Sequence, residues 1–170
     1  MVNSWERKLS KSKFLLDTYN LNIEISRLIR LAPKKFKGSY SDQIIKQGLD
    51  AFATFEEANS FYISDTSSDT EIKNRKAILK RGKAQLDTVM ITLAIFLDYM
   101  TSDNNINIEK AKEIEEEFSN TIISIENMVD GLINYGDRII KERKSKKKNT
   151  NTEEKKSEVK SEEVTVGEIE

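Results

Sequence analysis

The sequence predicts an all-α protein: an antiparallel up-down-up-down four-helix bundle with a disordered C-terminal tail. Four long stretches carry apolar residues at three- and four-residue steps, the spacing that gathers side chains on one helix face. No segment sustains the period-two alternation of a strand. The chain has one proline and six scattered glycines, so few positions interrupt a helix. Its 170 residues suit one domain with a dispensable end. The expected division is a bundle over residues 1–144 and a charged tail over residues 145–170.

The first helix is expected from about Lys11 to Leu31, on the line Phe14, Thr18, Leu21, Ile25 and Leu28. Pro33 disfavours helical geometry at Ala32 and ends it. A second apolar line, Leu16, Tyr19 and Ile23, lies on another side of this helix. One intramolecular face needs only one line, so the second is a candidate contact with another chain.

The second helix follows a short basic connection, with Ser39 and Asp42 at capping-box spacing, and runs to about Tyr62. Its stripe is Ile44, Ile45, Leu49, Phe52, Phe55 and Tyr62. Gly48 falls beside that stripe; glycine inside a helix costs about 1 kcal/mol relative to alanine, which suggests a close backbone approach. A polar turn, Ser64 to Asp69, offers a second capping-box pair in Ser68 and Glu71.

The third helix is the clearest. Ile72, Leu79, Leu86, Val89, Leu93, Phe96 and Met100 keep the spacing of a coiled-coil-like seam, interrupted by Arg75 and Gly82. Arg75 on that seam calls for a carboxylate partner or an oligomer channel. After Thr101–Asn107, with Asn107 as the cap, the fourth helix is expected from Ile108 to about Lys144. It passes through Ala111, Ile114, Phe118, Ile125, Met128, Leu132, Tyr135 and Ile139, widened by Ile122, Val129 and Ile140. Acidic residues fill its first turns and basic ones its last, in line with the helix dipole. From Ser145 onward the chain is mostly Lys, Glu, Ser, Thr and Asn, too polar to offset its chain entropy.

Composition narrows the chemistry. There is no histidine and no cysteine, which removes Ser–His and Cys–His nucleophiles, thiolate metal sites and the Glu-x-x-His pairs of di-metal bundles. Glu24, Glu56, Asp87 and Glu126 read as members of solvated helix faces, and no Gly-rich phosphate loop occurs. The expectation is a non-enzyme with no catalytic residues, no metal and no cofactor. No apolar run approaches the roughly 18 residues of a membrane span, and no signal peptide pattern opens the chain, so a cytoplasmic location is expected.

Charge is the more useful signal. The formal net charge is −1, yet residues 1–83 hold 16 Lys/Arg against 10 Asp/Glu, and residues 84–144 hold 6 against 12. Lys73, Lys76, Lys80 and Lys83 fall on one side of the third helix, with Arg81 near the row. Lys34, Lys35 and Lys37 of the first connection, and Arg27 and Arg30 before it, are the candidate extension of that surface. Aligned cations match a nucleic-acid backbone and gain affinity by counterion release, although charge rows also occur as plain solvated faces.

Several features in order resemble one family. The first helix ends Leu-Ala-Pro-Lys-Lys (Leu31 to Lys35), and the second carries Gly48, Phe52 and Phe55. The third begins Asn-Arg-Lys-Ala-Ile-Leu-Lys-Arg (Asn74 to Arg81) and continues Gln-Leu-Asp-Thr-Val-Met-Ile-Thr-Leu (Gln85 to Leu93). Over roughly residues 14 to 140 the chain resembles the four-helix-bundle family of the accessory variability determinant of diversity-generating retroelements, which also includes proteins encoded in ribosomal-RNA intervening sequences. The resemblance implies a homo-oligomer, a cyclic pentamer, whose basic surface binds a reverse transcriptase and its template RNA. The ten cations named above are then the nucleic-acid candidates, with RNA and DNA both open. This chain departs from the family's overall basic character through its acidic fourth helix. That departure directs a basic protein partner to Glu109, Glu113 and Glu116, alongside the Leu16, Tyr19 and Ile23 line. The competing expectation is a protein-binding scaffold or assembly factor of a phage or mobile element, without nucleic-acid contact.

Overall fold

The computed structural model describes residues 12–36 and 38–165, with side chains described as far as Lys146 except that of Ser39. Within these, four helices form: α1 (Lys13–Leu31), α2 (Ser39–Ser60), α3 (Asp69–Ser102) and α4 (Ile108–Thr165), with a 3-10 turn at Lys34–Phe36. No strand occurs among the described residues. Each helix packs on its two neighbours in a closed square, α1 on α2 and α4, and α3 on α2 and α4. The α2–α3 interface is the most extensive and α1–α4 the least.

The turns are set by local chemistry. Ala32 before Pro33 takes an extended conformation (φ −67°, ψ 145°) and terminates α1. At the start of α2 the cap is Gly38, one residue earlier than the predicted Ser39. The Ser41 hydroxyl closes that turn, accepting from the Gly38 N–H at 3.0 Å and donating to the Phe36 carbonyl at 2.8 Å. The Ser68–Glu71 box forms as expected: Ser68 Oγ accepts from Glu71 N–H (3.2 Å), and the Glu71 carboxylate accepts from Ser68 N–H (2.7 Å). The Ser68 N–H together with its hydroxyl, which also donates to Glu71 Oε2 (2.8 Å), holds the Glu71 carboxyl below its ordinary range. α3 ends in a Schellman turn. Asn104 at φ 54° lets its N–H reach Thr101 O (3.0 Å) and the Asn105 N–H reach Met100 O (2.9 Å). Asn107 caps α4 through its Oδ1, which accepts from Lys110 N–H at 2.7 Å.

The predicted seam of α3 is buried throughout, from Ile72 to Met100. At its centre the ring of Phe55, fully buried, lies flat on the glycine gap at Gly82. A Cβ at Gly82 would stand 2.6 Å from Phe55 Cδ1. Phe14 of α1 meets the same ring edge-on, with centroids 5.6 Å apart. Gly48 performs the close approach its position suggested: Asn22 Nδ2 donates to Gly48 O (3.0 Å) and to Thr18 O (2.9 Å), tying α1 to α2.

Two stripes differ from the sequence reading. On α2 the inward line is Ser41, Ile44, Gly48, Ala51, Phe55 and Ala58, while Leu49 and Tyr62 are 54% and 87% exposed. Small residues face the core because neighbouring helices come close, α1 doing so at Gly48 through Asn22 and Ile25. On α4 the buried line turns by one residue midway, from Phe118, Ile122 and Ile125 to Val129, Ile133 and Gly136. Tyr135 is thereby displaced outward, where Arg138 stacks on it at 5.4 Å.

The last apolar contacts of the bundle are a satellite cluster of Ile63, Ile72 and Ile139 with Ile140. Beyond it the backbone of α4 continues as helix to Thr165, past Lys144, where the helix was expected to end, and through much of the expected tail. Residues 166–170 of that tail lie outside the described residues. Arg143, expected to complement the helix terminus, instead clamps the α2–α3 loop. It donates to the carbonyls of Ser67 (2.6 Å) and Asp65 and to the Asp69 carboxylate (3.0 Å).

The glycine gap gives a paired test. Replacing Gly82 with alanine drives a methyl into a ring that cannot move, at about 1–3 kcal/mol, which outweighs the helix-propensity gain of about 1 kcal/mol. Gly131 has nothing within 4 Å of its would-be Cβ. Urea unfolding is expected to show Gly82→Ala as destabilised and Gly131→Ala as stabilised by up to about 1 kcal/mol.

Candidate interaction surfaces

The basic row of α3 faces α4 over part of its width. Lys76 Nζ donates to both Asp137 oxygens (2.8 and 2.6 Å), and Lys83 Nζ to Asp130 Oδ2 (2.8 Å). Two helices running oppositely bring these pairs into register one seven-residue step apart. Lys76 and Lys83 are therefore partly covered struts between α3 and α4, each already paired with an aspartate. Arg81 is exposed but paired with Glu57 of α2. Lys73 and Lys80 are exposed and make no ion pair among the described residues.

The remaining cations sit elsewhere. Lys35 pairs with Asp103 Oδ2 at 2.7 Å and lies over the Phe36 ring. Phe36 in turn packs edge-on against Phe96 (6.3 Å). The first connection is thus pinned to the C-terminal end of α3, whereas the lysine row occupies the N-terminal end. At 1.5 Å per residue, Lys83 and Asp103 are about 30 Å apart along the helix. Lys34 and Lys35 do not extend the row. They form a second basic zone with Arg27, which pairs with Glu24, and Arg30. Lys34 is exposed and makes no ion pair among the described residues. Lys37 lies outside the described residues.

Arg75 pairs with no carboxylate among the described residues. Its Nε donates to the Ala58 carbonyl at 3.1 Å in the last turn of α2, so a cation meets the negative end of that helix dipole. Burial pushes the guanidinium below its ordinary value.

The second line of α1 is half-buried. Tyr19 packs on Phe52 (6.3 Å), and with Ile23 and the exposed Leu49 they line an open trough of about 410 Å³ between α1 and α2, edged by Arg27 and Arg30. Leu16 is also half-buried. Glu109, Glu113 and Glu116 are exposed on the first turns of α4, and Glu113 accepts from Lys110 Nζ at 2.7 Å.

Two features were not read from the sequence. Ile91, Ile95 and Tyr99 form an exposed apolar stripe on the outer face of α3, beside Tyr40 of α2, whose ring lies 5.2 Å from that of Tyr99. Their four-residue spacing was a usable signal, overshadowed by the stronger seam. The other is an acid cluster beside the struts. Glu126 has its carboxyl raised by burial, then by Asp87 and Asp130 nearby, against the lowering effect of Lys83. The bond to Asp130 in turn raises the Lys83 ammonium.

Among the described residues no three His, Cys, Asp or Glu side chains converge as a metal site, and no helix is long and apolar enough to cross a membrane. Comparison with protein-family models, with curated proteins and with solved structures finds no match.

Glu126 supplies a pH test. A carboxyl raised in the folded state favours folding when protonated, and this contribution is lost as pH rises through the folded value. Glu126→Gln is expected to raise the urea midpoint at pH 7. The advantage should shrink as the pH is lowered, because the native glutamate then takes up its own proton.

Proposed function

We propose that this chain is a non-enzymatic, self-associating accessory protein of a diversity-generating retroelement. In this reading it binds the element's reverse transcriptase and template RNA and supports mutagenic complementary-DNA synthesis in the cytoplasm. The retroelement setting rests on the resemblance carried by Leu31–Lys35, Gly48–Phe55 and Asn74–Leu93. The observation that supports a binding role is the outer face of α3. Its N-terminal half presents Lys73 and Lys80, and its C-terminal half presents Ile91 (62% exposed), Ile95 and Tyr99. A cationic segment followed by an apolar one on a single rod suits a protein that meets a polyanion and a protein surface side by side.

A second reading, a protein-binding scaffold of a phage or mobile element without nucleic-acid contact, is favoured by one observation. Lys76 and Lys83 spend their charge on Asp137 and Asp130. The two readings separate on the lysines left exposed. Lys73→Glu with Lys80→Glu is expected to weaken RNA binding at least tenfold and to reduce the salt slope by about one to two contacts. Filter binding across a salt series reads both. Affinity and slope unchanged by the double substitution favour the scaffold.

The proposed oligomer, a pentamer by the resemblance, uses the apolar half of the same face. Ile91→Glu with Ile95→Glu is expected to convert it to monomers in light scattering. Both side chains are exposed, so the monomer should stay folded by circular dichroism.

A further inference from the structure

We propose that the groove between α1 and α4 is a docking site for a basic amphipathic helix of a partner protein. The inference deepens the partner-binding part of the proposed function and rests on it. α1 and α4 form the least extensive interface of the bundle. This leaves an open groove of about 350 Å³, floored by Leu21, Leu28, Ile114 and Phe118. It runs from Leu31 beside Lys110 at one end to Asn20 beside Thr121 at the other, about 16 Å at 1.5 Å per residue. Leu31 at the mouth is 84% exposed, and Ile108, which opens α4, is 59% exposed.

Shape and hydrogen bonding select the occupant. Both walls are helices whose backbone groups are bonded internally, so an extended peptide would find no main-chain partner and would leave its own amides unpaired. A helix satisfies its own backbone and brings only side chains. Three turns of groove accept apolar anchors at i, i+3 or i+4, and i+7.

Charge selects its polar face. The cations at the rim are already engaged: Arg27 pairs with Glu24, and Lys110 pairs with Glu113 while Glu117 lies close enough to raise its ammonium further. Glu117 of α4 stands in the groove wall itself, and Glu109 and Glu116 are exposed farther round the same helix. A helix flanked by Lys and Arg meets these carboxylates, whereas an acidic helix is repelled.

The test uses the full chain and a fluorescent 14-residue helical peptide with leucines at i, i+3, i+7 and i+10 and lysines elsewhere, read by anisotropy. Two control peptides share its length: one of the same composition with the leucines scattered, and one with glutamates in place of lysines. Saturable binding is expected, at least tenfold tighter than to either control. Leu31→Glu and Glu117→Lys alter exposed positions, and each is expected to weaken binding at least tenfold with an unchanged circular dichroism spectrum. Three results would overturn the proposal. One is equal binding of the scattered-leucine or glutamate peptide. Another is affinity indifferent to both substitutions. The third is a sedimentation shift from oligomer to monomer on Leu31→Glu, which would assign the groove to a second copy. RNA binding through Lys73 and Lys80, measured on the same variants, reports on the proposed function separately. Its survival alongside a failed peptide experiment would reject the groove alone.

Discussion

The architecture depends on one steric fit, the Phe55 ring seated in the gap that Gly82 leaves on α3. Helices normally approach to 8–10 Å according to the side chains between them. Here an aromatic ring replaces the missing side chain opposite, and Phe14 closes the ring from the α1 side. Small residues also mark the inward face of α2, where Ala51 and Ala58 are fully buried and Gly48 admits Asn22 of α1. With α2 and α3 drawn together, the square cannot be equally tight on all sides. The loosest contact is on the opposite side of the square, between α1 and α4, where the open groove lies.

Polar contacts then set register over that apolar packing. Asn22 locks α1 to α2 through the Gly48 carbonyl, Arg75 caps α2 from α3, and Arg143 of α4 holds the α2–α3 loop. The Lys76–Asp137 and Lys83–Asp130 pairs align α3 with α4. Partly exposed ion pairs of this kind contribute at most about 1 kcal/mol each, so their value lies in rejecting slipped registers more than in stability. The same geometry gathers Asp87, Glu126 and Asp130 around Lys83, at some electrostatic cost that falls on Glu126.

For function, the consequence is a redistribution of charge. A row of four lysines in the sequence becomes two struts and two exposed cations, and the loop lysines move to the far end of the bundle. What remains outward is mixed: lysines and an apolar stripe on α3, and an acid-edged groove beside α4. Such faces are what the proposed binding role calls for.

The local features were legible in the sequence. Pro33, the Ser68–Glu71 box, Asn107 and the seam from Ile72 to Met100 depend on residues within a turn or two of one another, and they behave as their spacing dictates. The absence of histidine and cysteine is likewise complete before any folding. The sequence was less decisive wherever apolar residues occupy neighbouring positions, because adjacent helix residues point about 100° apart and either line satisfies the period. On α4 the choice between Tyr135 and Gly136 was made by Ile72 arriving from α3, and on α2 Leu49 yielded the core to Gly48 in the same way. Charge partners were less legible still. Which lysine meets which aspartate depends on the relative height of α3 and α4, whose paired residues are 47 and 61 positions apart, and that height follows from packing between the two helices such as Ile72 against Gly136.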